Sequence, residues 1–224
     1  MKLSTAKSSE ISLVLASSSP RRKDILSLLG YQFKVVVPTD KEDKFNNNVP
    51  IEAMTRAIAL GKTRHIAKSY PNSIIIAADT VVYIDGIVFG KPASKIQAKS
   101  MLTKLRGRTH QVVTGLAVIN PNIEQPILSN ESTKVTMRHY SDHEIFTYLS
   151  SSQSLDKAGA YGIQDKNFSP SKEIKGCYLN VVGLPLCNLI DIFSSFATDL
   201  SNKFSNIYTD NCVFCKSFHR EDWS

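Results

Sequence analysis

The chain of 224 residues lacks most features that mark specialised protein classes. Its four cysteines, in a chain of this length, do not make a disulfide framework, and its 10 glycines and 9 prolines exclude collagen-like sequence. No run approaches the roughly 18 apolar residues of a membrane helix. The apolar stretch at residues 11–16, behind Lys2 and Lys7, is too short for the core of a signal peptide. There is no phosphate loop, no GxGxxG, no nucleophile elbow and no HExxH. The histidines, at 65, 110, 139, 143 and 219, share no metal spacing, and Cys212-x2-Cys215-x3-His219 is an incomplete zinc ligand set without an evident fourth member. These absences give the expectation of a soluble, cytoplasmic protein of a reducing compartment.

What is present is ordinary globular composition, with 42% hydrophobic and 21% charged residues, enough to bury a sizeable core. The net charge of +7 is unevenly spread: residues 54–110 hold ten Lys/Arg against two acids, Asp79 and Asp85. Such a field suits a nucleic acid or the phosphates of a nucleotide, and equally the solvated faces of two helices.

Strand and helix signals alternate along the chain, which predicts an α/β fold, with antiparallel pairing introduced by a hairpin. Residues 12–16 (SLVLA) read as a buried strand, followed by a Ser run and by Pro20 opening a helix that Gly30 ends. Residues 33–37 read as a second strand, and Pro50 opens a helix to about Lys68. Residues 73–78 (SIIIAA) read as a strand ending on Asp79 and Thr80, and Asp85-Gly86 marks a hairpin between residues 81–84 and 87–89. Further on come a helix over 94–105, a strand over 111–119, a turn at 121–125 and a strand near 133–138. Ser141 and Glu144 spell a capping box for a helix through Leu149; residues 155–164 read as an amphipathic helix ending in a Gly turn. Residues 177–182 read as a strand and 184–198 as a last helix. The expected division is an N-terminal extension (1–11), one domain (12–200) and a Cys-containing tail (201–224).

Four groups of residues carry candidate chemistry. Residues 16–22 (ASSSPRR) set hydroxyls, free amides and two guanidiniums at a strand-to-helix turn, which suits a phosphate; a Ser-capped surface helix explains them as well. Asp79, at a strand end, could hold a divalent metal or take a proton from water, or simply cap the next turn. Lys62 and Lys91 are dispersed cations able to meet phosphates, and Glu42 sits in an acidic loop where solubilising charge is the ordinary role. Residues 155–164 (LDKAGAYGIQ) place Gln164 beside a close-approach turn, and its amide has the donor and acceptor that the imide edge of uracil or thymine requires.

Five segments, LVLASSSPRRKDILSLLG, IIIAADTVVYIDGIVFGKP, GRTHQVVTG, LDKAGAYGIQ and VVGLPL, occur in the order in which the Maf family of nucleoside triphosphate pyrophosphatases carries them. Over residues 13–190 the chain resembles that family, also described as septum-formation-inhibitor-like. The resemblance implies a single α/β domain with an elongated mixed β-sheet flanked by helices and a cleft between two lobes. It implies phosphate-binding roles for Ser17, Arg22, Lys62 and Lys91, catalysis by Asp79, and Mg²⁺ or Mn²⁺ held by Asp79 and Glu42. Arg21, Thr80 and Gln164 resemble the dTTP/UTP type, where the 7-methyl-GTP type has Trp, Gln and Glu. The implied function is hydrolysis of dTTP, UTP and modified pyrimidine triphosphates to the monophosphate and pyrophosphate, a house-cleaning of nucleotide pools. The resemblance also makes a homodimer an expectation; no membrane partner and no stable nucleic-acid complex are expected. The alternatives carried forward are a 7-methyl-GTP-type enzyme and a non-catalytic nucleic-acid-binding or cell-division regulator.

Overall fold

A strand covered on both faces must be apolar at every position rather than at every second one. Residues 13–16 meet that condition: in the computed structural model, which describes residues 12–39, 49–151 and 154–196, they are all buried in β1 (Ser12–Ala16). Pro20, at the first helical position behind the Ser19 cap, starts α1 (Pro20–Ser27), and Gly30 follows it at φ 69°. The chain continues through β2 (Lys34–Val36), α2 (Ile51–Ala67), β3 (Ser73–Ile84), β4 (Ile87–Phe89), α3 (Lys95–Leu105), β5 (Thr109–Ile119) and β6 (Ile127–Met137). It ends with α4 (Asp142–Ser151), two single 3₁₀ turns (Ser154–Asp156 and Ala158–Ala160), β7 (Ser171–Lys175), α5 (Tyr178–Val182) and α6 (Leu186–Ser195).

The sheet is mixed and seven-stranded, in the order β2-β1-β3-β5-β6-β7, with β4 added to β3. β1 lies parallel to β2 and β3; the pairs β3–β4, β3–β5, β5–β6 and β6–β7 are antiparallel. Alternation along the strands divides the core. Leu13, Leu15, Ile74, Ile76 and Ala78 face α1, α5 and α6, whereas Val14, Ala16, Ile75 and Ala77 face Ile66 of α2. Further along, Val81 and Val113 meet Met54 and Ile58 of α2, while Val82, Ile84 and Val112 pack with α3 and α4. One face of the sheet thus has α2; the other has two separate helix groups, and those groups are the two lobes.

The central strand has an opening beside it. On one edge β5 pairs with residues 75–83 of β3; on the other, β1 takes residues 73–76 and β4 takes 82–84. Residues 77–81 therefore have no described strand alongside on that edge, and Asp79 is in the middle of this interval.

This corrects one expectation: Asp79 does not end a strand. β3 runs twelve residues through it because Asp79 is paired with Gly115 of β5 in an unbroken ladder. Two other expectations are corrected. Residues 177–182 form a short helix, not a strand; the Cys177 side chain caps it by accepting from Asn180 N. A short apolar run fits either state, and local capping decided this one. Residues 155–164 form short turns and a loop instead of an amphipathic helix, because Gly159 and Ala160 take φ of 67° and 66°, which a continuous right-handed helix does not accommodate. The strand near 133–138 is longer, and β7 was without a sequence signal. The hairpin and the capping box are as read: Ser141 N and Oγ both donate to Glu144 Oε2, at 2.7 and 2.9 Å, while Glu144 N donates to Ser141 Oγ.

Candidate active site

The turn from β1 into α1 forms one wall. Ser17 is buried, and its Oγ accepts from Ser19 N at 3.1 Å. Ser19 Oγ in turn accepts from Arg22 N, so hydroxyls shape the turn while α1 starts with two arginines and no acid in its first turn. A helix N-terminus with adjacent guanidiniums favours an anion. The two arginines diverge. Arg22 Nε donates to Gly183 O at 2.8 Å and its Nη2 to Thr80 Oγ1 at 3.0 Å. Arg21 reaches Asp156, with Nη1 on Oδ2 at 3.1 Å and Nη2 on the backbone O at 3.3 Å.

Asp79 and Thr80 are adjacent and so face opposite sides of the sheet. Asp79 points to α2, where Lys62 Nζ donates to its Oδ1 at 2.6 Å; the two side chains are only 10% and 14% exposed. Thr80 points to α1 and α5, where its hydroxyl meets Arg22 and, at 2.9 Å, Thr114 Oγ1. α2 lies close because the residue opposite Asp79 is glycine: a Cβ on Gly115 would come 2.2 Å from the Thr55 carbonyl carbon.

The third wall is the 3₁₀ segment and the loop after it. Lys157 Nζ donates to Asp156 Oδ1 at 2.9 Å, and its stem crosses Gly162, where a Cβ would come 3.0 Å from Lys157 Cε. Burial acts to raise the Asp156 carboxyl, but the Lys157 hydrogen bond and the Arg21 charge outweigh it and leave the group below the usual carboxylate range. Behind this loop, Tyr161 OH is 2.7 Å from His110 Nε2, inside the core. Burial holds the His110 imidazole down to about 4 and pushes the Tyr161 phenol well up, so both are neutral near pH 7. Gly162 N donates to Tyr148 OH at 3.2 Å, and Gln164 follows, exposed in a turn.

These walls enclose a cleft of about 1060 Å³. Ser17, Arg21, Arg22, Lys62, Thr80, Lys91 and Gln164 all line it, although they come from widely separated parts of the chain. Asp79 stands at its border behind Lys62, 7% exposed. Glu42 and the Cys212, Cys215 and His219 tail lie outside the described residues. Lys95, Lys157 and His65 also line the cleft and were not singled out in the sequence. Lys157 had a signal, its place in the Gly-rich segment; an isolated His65 on a helix had none. Among the described residues, no group of three or more His, Cys, Asp or Glu is arranged to hold a metal.

Residues 12–196 match the family model for Maf-like proteins, which is most of the chain. The chain belongs to the Maf-like family. A dTTP/UTP pyrophosphatase of Dictyoglomus thermophilum is 42% identical over 189 residues, 84% of this chain and 97% of that protein. Similar relatives of the same description occur in Symbiobacterium thermophilum (41% identical, 82% of this chain and 93% of the relative) and Bacillus mycoides (37%, 85% and 98%). The Maf assignment agrees with the mixed α/β sheet and with the cleft between lobes expected from the sequence. Among the described residues, no helix of this Maf-like chain is long and apolar enough to cross a membrane.

Proposed function

We propose that this chain hydrolyses dTTP and UTP, with modified pyrimidine triphosphates, to the nucleoside monophosphate and pyrophosphate, and so clears nucleotide pools. The observation that carries this reading is the convergence in one cleft of an anion-favouring helix start, four cations in Arg22, Lys62, Lys91 and Lys157, and an exposed amide at Gln164. The names of the relatives give the substrate class.

In this reading Ser17, Arg22 and Lys91 hold the triphosphate, and Arg21, Thr80 and Gln164 border the end that receives the base. Asp79 accepts a proton from a water as the water oxygen bonds to the α-phosphorus. The bond from that phosphorus to the bridging oxygen breaks, and the oxygen leaves with the electron pair as pyrophosphate. Lys62 holds the Asp79 carboxylate in place through Oδ1. Lys62 also lines the cleft, so the same ammonium faces the phosphates. Positioning and electrostatics supply the rate, with no covalent intermediate.

A hard divalent cation takes one or two carboxylates together with phosphate oxygens, and a single carboxylate at the cleft border fits that mode. Asp79 would hold Mg²⁺ or Mn²⁺ with Glu42 as second carboxylate. When bound, the ion supplies neutralising charge for the leaving pyrophosphate.

The test is pyrophosphate release from dTTP, UTP, 5-methyl-UTP, 7-methyl-GTP, ITP and dATP, with Mg²⁺, Mn²⁺ or a chelator. Metal-dependent turnover confined to the pyrimidines is expected. Preference for 7-methyl-GTP overturns the substrate assignment, and no turnover from folded protein overturns the enzyme reading in favour of nucleic-acid binding.

A further inference from the structure

Arg22 has no acceptor, so Thr80 Oγ1 must accept in their 3.0 Å contact. At the far side, Thr114 Oγ1 reaches Asn180 O, a carbonyl that can only accept, at 3.2 Å. The two hydroxyls are 2.9 Å apart, and Thr80 Oγ1 also has Gly183 O as an acceptor at 3.5 Å. Arg22, Thr80, Thr114 and the Asn180 carbonyl are thus joined in one hydrogen-bonded chain. Thr80 turns a lone pair toward Arg22 from a hydroxyl held against Thr114.

The second acceptor of Arg22 depends on the same anchor. Gly183 directly follows α5, and α5 is tied to the sheet through Asn180, whose Nδ2 donates to Val112 O and to Thr133 Oγ1, both at 2.9 Å. Thr114, Thr133 and Asn180 are each fully buried, so these bonds form away from water, where hydrogen bonds hold geometry best.

We propose that Thr114 is a positioning residue that, together with Asn180, holds the Arg22 guanidinium for the phosphates of the substrate. Thr114 touches no substrate, since it lies behind Thr80. The proposal rests on the phosphate-holding role given to Arg22 above.

A double-mutant cycle tests it, with Thr114→Val, Thr114→Ser, Arg22→Ala and the Arg22→Ala/Thr114→Val pair. Three quantities are read: kcat and KM for dTTP, and pyrophosphate affinity by calorimetry. Thr114→Val is expected to weaken pyrophosphate binding and lower kcat/KM by about tenfold, the cost of one well-placed hydrogen bond. Thr114→Ser is expected to restore both to within about twofold, and in the Arg22→Ala background Thr114→Val is expected to cost under about twofold. An equal loss from Thr114→Val with and without Arg22 overturns the proposal, as does a Thr114→Ser variant as impaired as Thr114→Val. Where Thr114→Val does not fold, Thr114→Cys takes its place in the cycle with the same criteria. Should the wild type bind pyrophosphate yet turn over no nucleotide, the pyrophosphatase reading fails while the binding cycle still decides this one. A wild type that neither binds pyrophosphate nor turns over dTTP overturns both.

Discussion

Lys62 and Asp79 form an ion pair, 2.6 Å from Nζ to Oδ1, at the one interval of the central strand that has no described neighbour on its open edge. Seventeen residues of sequence separate them, and they meet only because α2 packs against the odd-numbered side chains of β3. Removing one partner of such a pair leaves the other charge buried and uncompensated. Lys62→Met and Asp79→Asn are therefore each expected to lose about 3 kcal/mol of stability; both lose turnover, and Asp79→Asn keeps its nucleotide affinity. Urea denaturation beside a turnover assay checks both; near-normal turnover in Asp79→Asn removes Asp79 from the chemistry.

Gly115 sets how near α2 can come. Its absent Cβ would stand 2.2 Å from Thr55 C and 2.4 Å from Arg56 N, contacts with backbone that cannot swing aside. Gly115→Ala is expected to cost about 3 kcal/mol and to lower kcat by moving Lys62 away from Asp79. Gly61, in the same helix, has nothing within 4 Å of its would-be Cβ. Gly61→Ala is expected to gain up to about 1 kcal/mol in thermal or urea unfolding, and a comparable loss in the two variants contradicts the packing account.

His110 gives the fold a pH dependence. Its folded-state value, about 4, lies below the 6.5 of an unfolded chain, so between those values only the unfolded state takes up the proton. Stability is fully present above pH 6.5 and falls as pH drops toward 4, by up to roughly 3 kcal/mol from this group. His110→Asn is expected to flatten the slope of unfolding free energy between pH 6.5 and 4.5. An NMR titration placing the folded imidazole near 6.5 contradicts the prediction.

Gln164 is exposed in a turn, so its substitution reads function with little effect on folding. Gln164→Glu replaces the amide donor with a charge and is expected to reduce kcat/KM for dTTP and UTP by about 100-fold or more relative to purine triphosphates, at unchanged melting temperature. An unchanged ratio across the panel removes Gln164 from base recognition.

Much of this protein was legible from residues 12–36 and 81–105, where a strand, a Pro-started helix, a hairpin and a capped helix each announce themselves through local chemistry. The cations at Arg21, Arg22, Lys62 and Lys91 were visible too, as types and positions. Less legible were residues 155–164 and 177–182, where local patterns fit more than one conformation. Whether residues 177–182 ladder or coil was decided by a Cys177 cap and by the Asn180 amide bonding to strands distant in sequence.

By itself, the sequence determined the order of elements as far as α4, the family and most of the candidate residues, because each depends on patterns within a few residues or on motifs in a set order. The tertiary structure alone decided that Asp79 sits mid-strand beside an opening, that Asp79 and Thr80 serve opposite faces, and that Thr114 and Asn180 stand behind Arg22. Those relationships arise from strand register and helix packing between segments as far as 161 residues apart, and such distances are set by the burial of the whole core rather than by any local pattern.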